Sequence, residues 1–174
     1  MGLLVKKLVI CLKRRIIMEK NIPLTQEFFD RLTEKLQKMM NEGRTKIEKE
    51  IKIAKEYGDL SENAEYSAAK DAQQQLEIEI ATISDILLQA YPIDFSLVST
   101  KKVSVGNLVT IYDYEFDEEV TYRIVSSVEA STAENKISVD SPLGKALLEH
   151  KKGEDVLFKT PGGDVKVKII SISK

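Results

Sequence analysis

Residues 54–66 have the sequence AKEYGDLSENAEY. On both sides of this stretch, apolar residues recur at steps of three and four, which is the period of an amphipathic helix. Gly58 can adopt the left-handed conformation that ends a helix, and Asp59 can then cap the next helix. The stretch therefore predicts a tight turn between two long helices.

The first predicted helix starts near Thr25, and the second ends near Ala90. In the second helix the apolar residues step by four, three, four and three, as in a heptad seam. They are Leu76, Ile80, Ile83, Leu87 and Ala90. Two apolar stripes of similar length joined by a tight turn predict an antiparallel helical hairpin. Each arm of about 30 residues would extend on the order of 45 Å, so we expect the hairpin to project from the rest of the chain.

The C-terminal part of the sequence has a different period. Apolar and polar residues alternate there, as is typical of β-strands. The predicted strands are 103–105, 108–111, 120–125, 136–139, 155–158 and 165–170. One short helix interrupts them, with Ser141 as its N-cap and Pro142 at its first position. The sequence thus predicts an α+β protein, with a helical hairpin over 18–92 and a small antiparallel sheet with one helix over 93–174.

Residues 1–17 are expected to lie outside the fold. They contain five Lys or Arg residues and no acid. Their longest apolar run, LVICL, is too short to span a membrane, and no cleavage site of a signal peptide follows it. A basic amphipathic anchor is one interpretation. The preferred interpretation is that these residues follow an upstream start codon and that Met18 is the functional start. We then expect a cytoplasmic protein without membrane contact.

Composition excludes several kinds of site. The chain has one cysteine and one histidine, Cys11 and His150, so an internal disulfide framework and a cysteine zinc site are both ruled out. No nucleophile motif points to His150, which is better explained as an exposed residue near a helix end. The net charge is −2 despite the basic N-terminus. The acidic remainder argues against broad binding of duplex nucleic acid, although a local basic stripe stays open.

The predicted turn carries four carboxylates within ten residues: Glu56, Asp59, Glu62 and Glu65. The last three are spaced by three and would share one side of a helix start. Carboxylate oxygens suit Mg²⁺, but an exposed turn offers no enclosing cage. Asp59 and Glu62 also have the spacing of a capping box. Spacing alone therefore leaves a helix cap and a functional site both open.

Several separate motifs resemble one protein family. The sequence IAKEYGDLSENAEYSAAKDAQ at 53–73 is similar to the tip of the GreA/GreB transcript-cleavage factors. KISVDSPL at 136–143, FKTPGG at 158–163 and IPLT at 22–25 resemble three further elements of that family, in the same order. The resemblance covers about 18–174, and the tip and the modest basic content are closer to GreA-type than to GreB-type members.

This resemblance implies a fold and a mechanism. It implies a coiled-coil N-terminal domain and an FKBP-like C-terminal domain that docks at the rim of the RNA polymerase secondary channel. The coiled-coil tip would then reach the polymerase active site, where Asp59 and Glu62 help hold a second Mg²⁺ and orient the attacking water. The polymerase itself would cleave the 3′ end of backtracked RNA on its DNA template. The chain is thus expected to be a monomeric, non-enzymatic transcription elongation factor with no cofactor when free.

The resemblance also implies supporting roles around the tip. Support is expected from Glu56, Gly58, Ser61, Asn63, Glu65 and Tyr66. Lys52, Lys55 and Lys70 are candidate contacts to the RNA 3′ end, although lysines on a coiled coil usually form a solvated face. Lys55 stands where the family commonly has arginine, so the charge is kept and the bidentate fork is lost.

Two other functions stay open at this stage. A protein of the same fold could block the polymerase channel without promoting cleavage, but such relatives have altered tips and this tip is intact. Nucleotide-addition kinetics would separate the two. A structural coiled-coil protein that self-associates is the second alternative, and sedimentation at several concentrations would reveal it. An FKBP-like fold does not by itself imply prolyl isomerase activity.

Overall fold

The computed structural model describes residues 21–56 and 63–174, which fall into two compact units. The first unit contains Phe29–Ala90, and the second combines Ile22–Phe28 with Tyr91–Lys174. The helices are α1 (Gln26–Lys38), a π-helical segment (Met39–Gly43), α2 (Arg44–Glu56), α3 (Ala64–Gln89), a 3₁₀ turn (Thr132–Glu134) and α4 (Pro142–Leu147). The strands are β1 (Ile22–Leu24), β2 (Ala90–Pro92), β3 (Leu108–Asp113), β4 (Glu118–Val125), β5 (Lys136–Ser138), β6 (Asp155–Thr160) and β7 (Gly163–Ser173). Residues 1–17 lie outside the described part.

The first unit is a helical hairpin. The segments from α1 to α2 form one arm, and α3 returns antiparallel to it. Ile80 and Ile83, both in the predicted seam of α3, are buried, and so is Ala54 near the end of α2. The predicted seam of α3 is therefore confirmed at Ile80 and Ile83.

Gly43 lies where the first arm departs from regular α-helical geometry. It ends the π-helical segment, whose wider turn inserts an extra residue and shifts the apolar stripe around the helix. A Cβ atom on Gly43 would lie 3.2 Å from Leu76 Cδ1 of the other arm. Glycine therefore lets the two arms approach each other closely here. This offsets the cost of glycine in a helix, about 1 kcal/mol relative to alanine.

Two ion pairs join the arms on their exposed sides. Lys35 Nζ lies 2.5 Å from Glu79 Oε1, and Arg44 binds both carboxylate oxygens of Glu77, at 2.8 and 2.7 Å. The hydrogen bond from Arg44 is the main reason that the pKa of Glu77 lies below its ordinary value. Because the fork of arginine matches a carboxylate in only a few orientations, this pair favours one register of the arms.

The second unit is built on a five-stranded curled sheet with the order β5-β4-β3-β7-β6. The predicted fold class, a helical hairpin followed by a small sheet with one short helix, is confirmed. One pairing differs from the antiparallel prediction, because β4 and β5 run parallel. The chain between them makes a 3₁₀ turn and then passes through Asn135 in the left-handed conformation, at φ 51°. These two turns bring β5 back in the direction of β4.

The core of the second unit lies between the sheet and α4. Its buried residues are Val103, Val109, Ile111, Ile124, Leu147, Val156, Val167 and Ile169. As predicted, Ser141 caps α4, because its hydroxyl oxygen accepts the Gly144 N–H at 3.0 Å. The predicted strand at 103–105 is wrong, since Val103 lies in a loop and exchanges backbone hydrogen bonds with Glu149 and His150. An apolar residue can fill a core position without belonging to a strand.

The start of the first helix is attached to the second unit. Leu24 is fully buried, and its carbonyl oxygen accepts the Ile93 N–H at 2.8 Å. The buried carboxylate of Glu129 accepts hydrogen bonds from the Thr25 N–H and hydroxyl, at 2.9 and 2.6 Å. Because a buried carboxylate is costly without partners, these bonds hold Thr25 in place. The sequence had suggested that this segment belongs with the hairpin.

Substituting Gly144→Ala should destabilise the second unit by about 2–3 kcal/mol, because overpacked positions cost energy when the neighbour cannot move. The added Cβ would lie 2.0 Å from the backbone oxygen of Ser138. Gly162→Ala is the matched control, since its Cβ would meet only Thr160 Oγ1 at 3.6 Å. Denaturant unfolding monitored by circular dichroism measures both variants, and equal midpoints would contradict the packing described for α4.

Substituting Glu77→Gln should lower the thermal midpoint of the hairpin near neutral pH. The pKa of Glu77 is lowered in the folded state, so its contribution is fully present above the ordinary value of 4.5 and is lost as the pH falls through the folded pKa. The difference between wild type and variant should therefore vanish in acid. A difference of the same size at both ends of a pH series of melting curves would rule out the ion pair as its cause.

Candidate functional site

The end of the hairpin is bounded by Glu56, the last residue of α2, and Ala64, the first of α3. Several predicted site residues fall between these bounds. Gly58, Asp59, Ser61 and Glu62 lie outside the described residues. The others can be placed, and they lie on both arms around the turn: Lys52, Lys55, Glu56, Asn63, Glu65, Tyr66 and Lys70.

Asn63 connects the two arms through its side chain. Its Oδ1 accepts the Tyr66 N–H at 2.8 Å, which makes Asn63 the N-cap of α3. Its Nδ2 donates to the carbonyl oxygen of Ala54 at 2.7 Å. Asn63 is buried, so both bonds are shielded from water, and loss of either would leave a polar group unsatisfied. One side chain thereby starts the second arm and binds it to the end of the first.

The cap of α3 differs from the predicted one. Asp59 was expected to cap the second arm, but the structure gives that role to Asn63. The reason is that α3 begins at Ala64, and the cap is the residue just before the first helical position. An Asn directly before a helical apolar pattern is itself a recognised start signal, so the sequence contained this information. The bond to Ala54 has no comparable signal, because it joins residues on different helices.

Small side chains let the arms approach each other next to Asn63. Ala54 on α2 and Ala69 on α3 are both buried. Larger side chains at these two positions would hold the helices further apart, because interaxial distance depends on the side chains at the contact. Close approach brings the Ala54 carbonyl within reach of the short Asn63 side chain. The packing of alanines and the asparagine bond therefore depend on each other.

Lys55 and Tyr66 make a second contact across the arms. Lys55 Nζ lies 6.0 Å from the centroid of the Tyr66 ring, at the outer limit for a cation–π interaction. Lys70 Nζ donates to Gln73 Oε1 at 2.6 Å on its own helix. Lys52 is exposed, as are Lys55 and Lys70. The three lysines are therefore accessible on the distal part of the hairpin.

The described carboxylates beside the turn are Glu56 and Glu65. Both are exposed, one at the end of each arm, and neither forms an ion pair with another described residue. Over residues 21–56 and 63–174, no group of three metal-ligating side chains occurs. The carboxylates of Glu56 and Glu65 offer oxygen ligands, the kind that Mg²⁺ prefers.

Comparison with known proteins identifies the family. The model of the GreA/GreB transcription elongation factor N-terminal domain matches residues 22–91, and that of the C-terminal domain matches residues 98–174. This chain belongs to the GreA/GreB family. The two matched segments cover the hairpin and the sheet, so the family assignment applies to both units of the structure.

Individual GreA/GreB relatives agree with this assignment. Transcription elongation factor GreA of Listeria welshimeri is 44% identical over 89% of this chain and 97% of its own length. The GreA of Thermoanaerobacter pseudethanolicus is 43% identical over 90% of this chain and 100% of its own length. Among solved structures, Thermus aquaticus Gfh1 is 28% identical over 89% of this chain and 99% of that chain, with a TM-score of 0.40. The identity to the two GreA proteins places this chain with the GreA transcription elongation factors, in agreement with the prediction from its tip sequence.

A search for membrane spans adds one negative observation. Within the described ranges, no helix combines the length and the apolar character needed to cross a bilayer.

Two substitutions of Asn63 should distinguish the stability contributions of its two hydrogen bonds. Asn63→Ala removes both and should cost about 2 kcal/mol of hairpin stability, from the lost cap and the unsatisfied Ala54 carbonyl. Asn63→Ser keeps a side chain that caps well but cannot reach across the arms, so its cost should be about half as large.

Hydrogen exchange of the Tyr66 and Ser67 amides measures the effect at the start of α3. Faster exchange in Asn63→Ala than in Asn63→Ser is the expected order. If both variants exchanged like wild type, the asparagine would have no structural role at this position.

Proposed function

We propose that this chain stimulates RNA cleavage by RNA polymerase, by carrying the carboxylates of its hairpin turn through the secondary channel to the active site. The family assignment supports a role in transcription elongation. The intact GDLSENAEY sequence at the turn supports the cleavage role, because this sequence resembles the acidic tip of the cleavage factors. In this proposal the chain is not an enzyme, since the catalytic centre belongs to the polymerase.

The observation that carries the proposal is the asparagine bond at the end of the arms. Asn63 and Ala54 are joined at 2.7 Å, and only residues 57–62 lie between Glu56 and Asn63. In the sequence, Asp59 and Glu62 belong to these six connecting residues, between the two helix ends that the Asn63 side chain joins.

Asp59 and Glu62 would act through their oxygens. Their carboxylates would complete the binding of a second Mg²⁺ in the polymerase active site and accept a hydrogen bond from the attacking water. Bound there, Mg²⁺ would stabilise the attacking and leaving oxygens of the phosphodiester. The free chain needs no cofactor in this scheme, because neither carboxylate has to hold the ion alone.

The remaining tip residues would position these two acids. Asn63 fixes the arms, while Glu56, Gly58, Ser61, Glu65 and Tyr66 are proposed to support the turn. Lys52, Lys55 and Lys70 are exposed and could contact the phosphates of the RNA 3′ end, where ammonium groups act as point charges. Lys55 would contact the RNA phosphates while its ammonium group stays near the face of the Tyr66 ring.

The second unit would dock the factor on the polymerase. Rim docking, action as a monomer and a cytoplasmic location are all parts of the proposal that follow from the family resemblance. In this proposal the two units have separate tasks, with docking assigned to the second unit and the active-site contact assigned to the hairpin turn.

Removing either charge at the tip should abolish stimulation while leaving the fold intact. Asp59→Asn and Glu62→Gln keep the side-chain size and should each reduce cleavage of a backtracked complex on the order of 100-fold, since a catalytic metal loses a ligand. Asp71→Asn and Glu48→Gln are matched controls, because both acids are exposed on the arms away from the turn.

The readout is the rate of appearance of shortened RNA in purified elongation complexes, with polymerase binding measured in parallel. Normal cleavage by tip variants that bind the polymerase would refute the role of these acids. Loss of cleavage in the controls as well would show that general charge, and not the tip, is responsible.

A further inference from the structure

Two pairs of adjacent lysines meet on the surface of the second unit. Lys101 and Lys102 directly precede the core residue Val103, and Lys151 and Lys152 follow the loop after α4. All four side chains are exposed. The pairs are about 50 positions apart in sequence, so no local motif reveals that they are neighbours. We call these four residues the lysine patch.

Backbone hydrogen bonds hold the two pairs together. The Val103 N–H donates to the His150 carbonyl oxygen at 2.8 Å, and the Glu149 N–H donates to the Val103 carbonyl oxygen at 2.9 Å. Val103 is fully buried in the core, so this junction is part of the folded unit. Lys102 and Lys151 directly adjoin the bonded residues, which places both lysine pairs at one location.

The charge of the lysine patch is only partly balanced. Lys102 Nζ lies 3.0 Å from Glu149 Oε2 in an exposed pair, which water screens strongly. The other nearby acid, Glu154, contacts His150 Nδ1 at 2.6 Å and accepts the Lys151 N–H at 3.1 Å. This backbone hydrogen bond lowers the pKa of Glu154, and the charge of Lys151 also helps to lower it. Within the described residues, the ammonium groups of Lys101, Lys151 and Lys152 have no ion-pair partner. A concentrated positive surface thus remains on a chain whose net charge is −2.

The composition of the patch indicates the kind of partner. Protein–protein interfaces have an apolar centre and are depleted in lysine. The lysine patch contains no large apolar side chain, and its cations project as separate point charges. Such a surface matches the phosphates of a nucleic acid, which dominate its binding energy and do not depend on sequence. The patch is too small for a long duplex footprint, which needs an extended basic face.

We propose that the lysine patch binds the phosphate backbone of single-stranded RNA. The site lies on the second unit and does not involve Asp59 or Glu62, so it goes beyond the proposed cleavage role and can fail or succeed independently of it. Binding by four point charges should be weak, non-specific in sequence and strongly dependent on salt. Such a site would hold an RNA strand without competing for the tip.

The test is fluorescence anisotropy of a labelled single-stranded RNA of about 20 nucleotides, longer than one typical single-strand site. The full chain is titrated over a series of salt concentrations. Each lysine–phosphate contact contributes roughly 0.7 to the slope of log affinity against log salt. The variant with all four patch lysines changed to Gln should therefore have a slope shallower by roughly 3, and should bind roughly tenfold or more weakly at low salt.

A matched pair of double variants controls for total charge. Lys101→Gln with Lys151→Gln should lower the slope by roughly 1.4, whereas Lys38→Gln with Lys159→Gln removes the same charge elsewhere and should leave it nearly unchanged. Thermal melting confirms that each variant is folded. Equal effects of the two doubles, or an unchanged slope in the quadruple variant, would overturn the proposal.

Binding to the purified polymerase distinguishes the other class of partner. The quadruple variant should bind the polymerase as wild type does, because the patch is assigned to RNA. If it lost polymerase binding while its RNA affinity stayed at the wild-type level, the patch would be a protein contact and the proposal would be wrong. Cleavage stimulation by the same variant is a separate readout that depends on the tip.

Discussion

The buried amide of Asn63 determines how the two helical arms end. A helix start leaves N–H groups without partners, and a helix end leaves carbonyl groups without partners. Asn63 satisfies one of each, since it accepts from Tyr66 and donates to Ala54. The end of α2 and the start of α3 are therefore joined directly. The proposed function depends on this closure, since Asp59 and Glu62 lie between the two joined ends in the sequence.

The rest of the hairpin supports this closure by keeping the arms in register. Ile80 and Ile83 are the large apolar residues of α3 that the structure shows buried, and burial of such side chains contributes about 1.5–3 kcal/mol each. Gly43 allows close approach where the first arm has its π-helical turn, and the Arg44–Glu77 pair selects one alignment. A shift in register would move Ala54 away from Asn63. The contacts along the arms therefore help to maintain the hydrogen bond between Asn63 and Ala54.

Much of the architecture could be predicted because it follows from local patterns. The helical period located the seam of α3, and Ser141 with Pro142 identified the start of α4. The features that were missed depend on contacts between distant residues: the parallel pairing of β5, the loop position of Val103 and the bonds of Glu129 to Thr25. The cap of α3 was assigned to Asp59 because the capping-box spacing is conspicuous, whereas the simpler signal of Asn63 was correct. The roles of Asp59 and Glu62 remain predictions, since both lie outside the described residues.

In the proposed function, the tip carboxylates act as ligands of a metal ion and not merely as negative charges. The most direct measurement is the Mg²⁺ concentration that gives half-maximal cleavage in backtracked complexes, with wild type and with Asp59→Asn at saturating factor. A lost ligand weakens metal binding, so we expect a half-saturating Mg²⁺ concentration for Asp59→Asn that is raised on the order of tenfold, with partial recovery of the rate at high Mg²⁺. An unchanged half-saturating concentration, with only a lower maximal rate, would contradict it.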